Sequence, residues 1–129
     1  MLSPDLKYLL FAVILTFVQM LVAAMGANQQ VGLPTLAGNR AGLAEMTGWA
    51  GRARRAHLNM LENMVLFTAL VLVAQVAGKA NAMTALGASI FFWARLVYAG
   101  VYLAGISWVR TAVWFVSVIG MAIIAGQLF

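Results

Sequence analysis

The chain has 129 residues, 64% of them hydrophobic and 9% charged, with a net charge of +5. That profile belongs to a membrane protein and excludes an ordinary soluble domain. With no cysteine there is no disulfide framework, no thiolate nucleophile and no cysteine metal site, and one histidine cannot build a histidine-rich site.

Four apolar segments follow one another, at about 6–27, 53–77, 82–104 and 109–128. Each is long enough to cross a bilayer as a helix. Together they predict an all-α membrane protein, a single four-helix up-down bundle over residues 1–129. The start MLSPDLK is weakly charged and the first apolar run is long for a secretory signal, although AMGA resembles a cleavage site. Between the first two spans, Asn28–Arg52 contains VGLPTLAGNRAG and reads as a loop.

The second span is the informative one. Its apolar run MVLFTALVLVAQVAG falls short of the roughly 20 residues a crossing needs, so the preceding RARRAHLNMLEN must enter the membrane with it. At about 100° per residue, Arg52, Arg55, Asn59 and Glu62 share one stripe. Arg54 and His57 point away from it and read as interfacial. In the third span, Arg95, Tyr98 and Tyr102 share a face.

Glu62 and Arg95 should lie at similar depth. Each alone would cost at least ~2.5–3.5 kcal/mol on insertion scales, so an ion pair fixing helix register is expected. Tyr98 and Tyr102 serve equally as interfacial anchors or as the second wall of a polar pocket. Arg110 opens the fourth span, where the helix dipole favours anions. It sets topology, or it joins free backbone N–H groups in an anion site where a ligand thiol would ionise. Gln19 and Gln75 read as groups bonding across helices.

Arg40, Arg52, Arg54, Arg55 and Arg110 flank the first and third loops, and Lys7 and Lys79 lie on the other side. The positive-inside rule then predicts both termini outside and the Arg-rich loops in the cytoplasm. No aromatic-interleaved basic surface suggests nucleic-acid binding.

The stretch Gly51-Arg52-Ala53-Arg54-Arg55-Ala56-His57-Leu58-Asn59-Met60-Leu61-Glu62 is similar to E-R-x-x-R-A-x-x-N-x-x-E, the signature of the MAPEG family. These are the membrane-associated proteins of eicosanoid and glutathione metabolism, and the resemblance is to their microsomal glutathione transferase-like, bacterial-type members. Gly51 replaces the leading glutamate. The third-span pattern R-x-x-Y-x-x-x-Y at Arg95, Tyr98 and Tyr102 also resembles the family, as does the early arginine of the fourth span, Arg110. The resemblance implies a homotrimer binding glutathione as co-substrate between subunits, near the cytoplasmic face. It implies a transferase or peroxidase acting on lipophilic electrophiles. Arg55, Asn59, Glu62, Arg95, Tyr98 and Tyr102 would bind glutathione, and Arg110 would act catalytically on its thiolate.

The sequence departs from the glutathione-using members at Asn28-Gln29-Gln30, which lacks their basic residue, and at Leu58, Thr111 and Trp114. The missing cation motivates an alternative, a non-catalytic lipid-binding or scaffold protein of the same fold. A small exporter using Glu62 as a proton-coupled site is the third reading. No metal site is expected.

Overall fold

The computed structural model describes residues 1–40 and 45–129. Among them the chain forms five helices and no strands: α1 (Pro4–Val31), α2 (Leu33–Ala37), α3 (Gly48–Val76), α4 (Ala82–Ala104) and α5 (Ser107–Gly126). α1, α3, α4 and α5 are each long and apolar enough to cross a membrane. They make an integral, multi-pass four-helix bundle. α4 packs most closely with α5, and α1 with α3.

Local signals set the helix ends. Ser3 caps α1, its Oγ accepting from the Leu6 N–H, and Pro4 opens the helix, where a missing N–H costs nothing. Asn81 and Thr84 form a reciprocal capping box at the start of α4. α4 stops at Gly105, whose φ of 80° is left-handed and natural to glycine. The loop expected at Asn28–Arg52 is shorter than its composition suggests. α1 continues to Val31, α2 occupies Leu33–Ala37, and α3 begins at Gly48. Residues 41–44 of that loop lie outside the described residues.

Hydrogen bonds tie the two ends of the bundle. At one end, Gln30 Nε2–H donates to the Thr47 carbonyl and the Thr47 N–H donates back to Gln30 Oε1, clamping α1 to the start of α3. There too, Arg52 Nε–H donates to the Leu103 carbonyl at 2.9 Å, satisfying an orphan acceptor in the last turn of α4. At the other end, Gln75 donates to Ser3 Oγ, Lys79 to the Leu128 carbonyl and Asn81 to Gln127. The arginines near the first and third loops therefore share one end, and Lys79 belongs to the other.

The core lies toward the Lys79 end. Phe67 of α3 and Phe91 of α4 stack with centroids 3.9 Å apart, among Leu9, Ala12, Met64, Val71, Met121 and Ile124. The cavities that concern function are lined by residues from the Arg-rich half of α3.

Candidate functional site

A polar cleft opens between α3, α4 and α5, with a volume of about 350 Å³. Its walls carry Arg55, Asn59 and Glu62 from α3, Tyr98 and Tyr102 from α4, and Arg110 from α5. The seventh expected residue, Arg95, lies beneath the cleft and is only 1% exposed. Helical periodicity accounts for the α3 set, and the i, i+3, i+7 spacing of Arg95, Tyr98 and Tyr102 for the α4 set.

Arg95, Tyr98, Tyr102 and Arg110 form a continuous ladder. The Arg95 guanidinium carbon lies 4.1 Å from the Tyr98 ring centroid, and that of Arg110 lies 4.5 Å from the Tyr102 centroid. The two rings meet edge to face at 5.6 Å. Cation–π contacts of this kind hold a guanidinium without consuming its N–H donors. Arg110 is therefore positioned while its N–H groups stay available to an anion.

The expected pairing of Glu62 with Arg95 does not form. Arg95 Nη2–H instead donates to Asn59 Oδ1 at 2.8 Å. Three residues turn a helix by about 300°, so when Asn59 faces α4, Glu62 is rotated some 60° toward the open side. Its carboxylate is exposed at the cleft and avoids the desolvation that a buried pair would exact. Arg52 also leaves the predicted stripe, being engaged with the end of α4.

The Arg95 bond also orients the Asn59 amide. Arginine only donates, so the amide atom facing it must be oxygen. Asn63 Nδ2–H donates to the same oxygen at 3.3 Å. Asn59 Nδ2 is left to serve the cleft as a donor. Arg95 Nε and Nη1 are buried with no hydrogen-bond partner. A cation held this way keeps the cleft floor positive and favours an anionic ligand.

A smaller extension of about 190 Å³ shares Asn59, Tyr98 and Arg110 with the cleft and adds Thr111 and Trp114 of α5. It puts an exposed indole beside the guanidinium. Arg110 lies in the first turn of α5, whose N-terminus has no side-chain cap. Free N–H groups there reinforce the preference for negative charge.

The sequence profile of the MAPEG family matches residues 6–129. The chain belongs to the MAPEG family. No curated protein and no solved structure matches it. In this MAPEG chain, Gln30 is committed to the α1–α3 clamp, so the absence of a cation at Asn28–Gln30 has a structural counterpart.

A larger cavity of the MAPEG bundle, about 610 Å³, lies on another face of α3 and contains none of the expected site residues. It brings Arg40, Arg54 and His57 near Glu45 above an apolar floor that includes Met20 and Leu36. Sequence reasoning assigned Arg54 and His57 to the interface. Their i, i+3 spacing was the signal of a second polar stripe. The smaller cleft is the better candidate because its polar groups converge from three helices and hold one another in register.

Among the described residues, no group of three or more histidine, cysteine or acidic side chains could hold a metal ion.

Proposed function

We propose that this protein is a glutathione-dependent transferase or peroxidase acting on lipophilic electrophiles at the membrane. The observation that carries the reading is the charge pattern of one cleft. Arg55, Arg110 and the buried Arg95 provide positive charge, Glu62 a lone carboxylate, and Asn59 an oriented donor. Glutathione has two carboxylates and one ammonium, and the donor set fits it. Arg55 and Asn59 suit carboxylates, and Glu62 suits the ammonium. At about 350 Å³ the cleft is at the lower end of the usual range for small-molecule sites.

In this reading Arg110 holds the sulfur as a thiolate. A neighbouring guanidinium and a helix N-terminus both lower a thiol's pKa. The bound thiol releases its proton, and a sulfur lone pair forms a bond to the electrophilic carbon. The displaced group departs with the electrons of the broken bond. With a lipid hydroperoxide, sulfur attacks an oxygen and the alcohol leaves. A second glutathione then converts the sulfenic acid to disulfide and water. The extension at Thr111 and Trp114 receives the lipophile.

Family resemblance supports a homotrimer with glutathione between subunits. The arginine-rich end supports cytoplasmic loops and external termini. These assignments belong to the same proposal.

The deciding experiment is calorimetric titration of detergent-solubilised protein with reduced glutathione, alongside Arg55→Ala and Glu62→Ala. Saturable binding that is lost in both variants supports the reading. No saturable binding at millimolar ligand, checked by equilibrium dialysis, rejects it in favour of a non-catalytic lipid-binding or scaffold role.

A further inference from the structure

Gln19 sits in the middle of α1 and is only 8% exposed, yet its Oε1 has no hydrogen-bond partner. Its counterpart Gln75 donates to Ser3 across helices; Gln19 makes no such bond. An amide inside a bilayer-spanning bundle has little water to turn to, so a missing protein partner implies another one.

Gln19 lines an apolar groove of about 230 Å³ between α1, α3 and α4. Leu15 and Val22 stand at either end of the α1 wall, with Ala56 opposite and Ala99 and Gly100 on α4. No charged residue lines it. Small side chains at Ala53, Ala56, Ala99 and Gly100 leave the groove unfilled, and a Cβ built on Gly100 would meet nothing within 4 Å. This groove uses the Ala53–Ala56 face of α3, distinct from the face bearing Arg55, Asn59 and Glu62.

Gln19 lies about 22 Å along α1 from Pro4 at 1.5 Å per residue, within a hydrocarbon core roughly 30 Å thick. A charged headgroup has no counter-ion at that position. The occupant must be uncharged and apolar, with one group that hydrogen-bonds an amide. A hydroxyl both donates and accepts, so it satisfies the amide whichever way it faces.

We propose that the α1–α3–α4 groove binds an uncharged long-chain alcohol, its hydroxyl on the Gln19 amide and its chain along Leu15, Val22, Ala56 and Ala99. This site is independent of the glutathione reading. The walls from Leu15 to Val22 span about 10 Å, enough for part of an alkyl chain, with the remainder in the bilayer.

The test uses the full-length protein in lipid nanodiscs and a hexadecanol carrying a mid-chain diazirine. After irradiation, mass spectrometry should find label on the segments 15–22 or 96–103. Excess 1-hexadecanol should suppress it and hexadecane should not. Gln19→Leu conserves bulk and should reduce labelling about three- to tenfold, the effect of one hydrogen bond. Ala99→Phe should abolish it by filling the groove. Both variants must retain the wild-type size-exclusion profile; a variant that loses it is replaced by Gln19→Met or Ala99→Leu. Equal labelling in the Gln19 variant, or equal competition by hexadecane, overturns the proposal. So does absence of labelling in the wild-type protein; crosslinking of Val18→Cys between chains would then identify a second copy as the occupant.

Discussion

Asn59 is the residue whose neighbours most constrain it. Its oxygen is claimed by Arg95 and Asn63, which turns its Nδ2 hydrogens toward the cleft. Asn59→Asp keeps the shape and gives Arg95 a counter-charge, but replaces the donor with an acceptor. Thermal unfolding in detergent should show stability held or raised. Titration should show glutathione affinity reduced by about tenfold or more, as expected when a hydrogen bond to a charged group is lost. Arg110 makes the complementary case. It rests on the Tyr102 ring at the cleft surface and supports no buried hydrogen bond among those described. Arg110→Ala should therefore leave unfolding unchanged and lower conjugation turnover about 10²–10³-fold, the usual loss when a group stabilising reacting charge is removed. Unchanged turnover would remove Arg110 from the mechanism.

At the scale of elements, the cleft depends on how closely α4 and α5 approach below it. Gly87 and Gly120 face each other there. A Cβ on Gly120 would lie 2.7 Å from the Gly87 carbonyl oxygen and 2.8 Å from the Phe91 nitrogen. Both are backbone atoms and cannot swing aside. Gly120→Ala should cost about 1–3 kcal/mol, the range for overpacking, seen as a lower unfolding temperature. Gly126→Ala, with nothing near its Cβ, is the control and should change little. The same packing explains why Arg110 reaches Tyr102: two glycines let α5 lie against α4, and the α5 first turn then overhangs the tyrosine face. Nothing local in the sequence marks Gly87 and Gly120 as the pair that sets this distance. The α1–α2–α3 corner shows a similar gap. Pro34 and its glycines read as a loop, while the Gln30–Thr47 clamp joins residues 17 apart in sequence.

For the whole molecule, the distribution of cations predicts an orientation that can be measured directly. The chain has no cysteine, so single substitutions report without background. Ala80→Cys should react with an impermeant maleimide on intact cells, and Thr35→Cys only after permeabilisation. The opposite result would invert the proposed topology. Chemical crosslinking in native membranes should stop at three chains if the proposed homotrimer forms; a ladder ending at two would contradict that proposal.

Much of this architecture was written in periodicity. The bilayer sets a length for apolar runs, and a helix returns to the same face every three to four residues. The four spans, the Arg55–Asn59–Glu62 stripe and the Arg95–Tyr98–Tyr102 face were all legible for those reasons. Their meeting with Arg110 in one cleft was suggested by polarity at a common end, but which atoms touch was not. Periodicity assigns a residue to a face and leaves the rotation of that face against its neighbour undetermined. A rotation of some 60° directs Asn59 rather than Glu62 at Arg95. Helix separation likewise turns Gln19 toward a groove and Arg54 and His57 toward a second cavity. The sequence by itself determined the spans, their charge asymmetry and the residues competent to form a site, because those follow from local chemistry and the membrane's thickness. Only the tertiary structure decided the pairings and the spaces between helices, because they depend on how side chains from several segments pack at once.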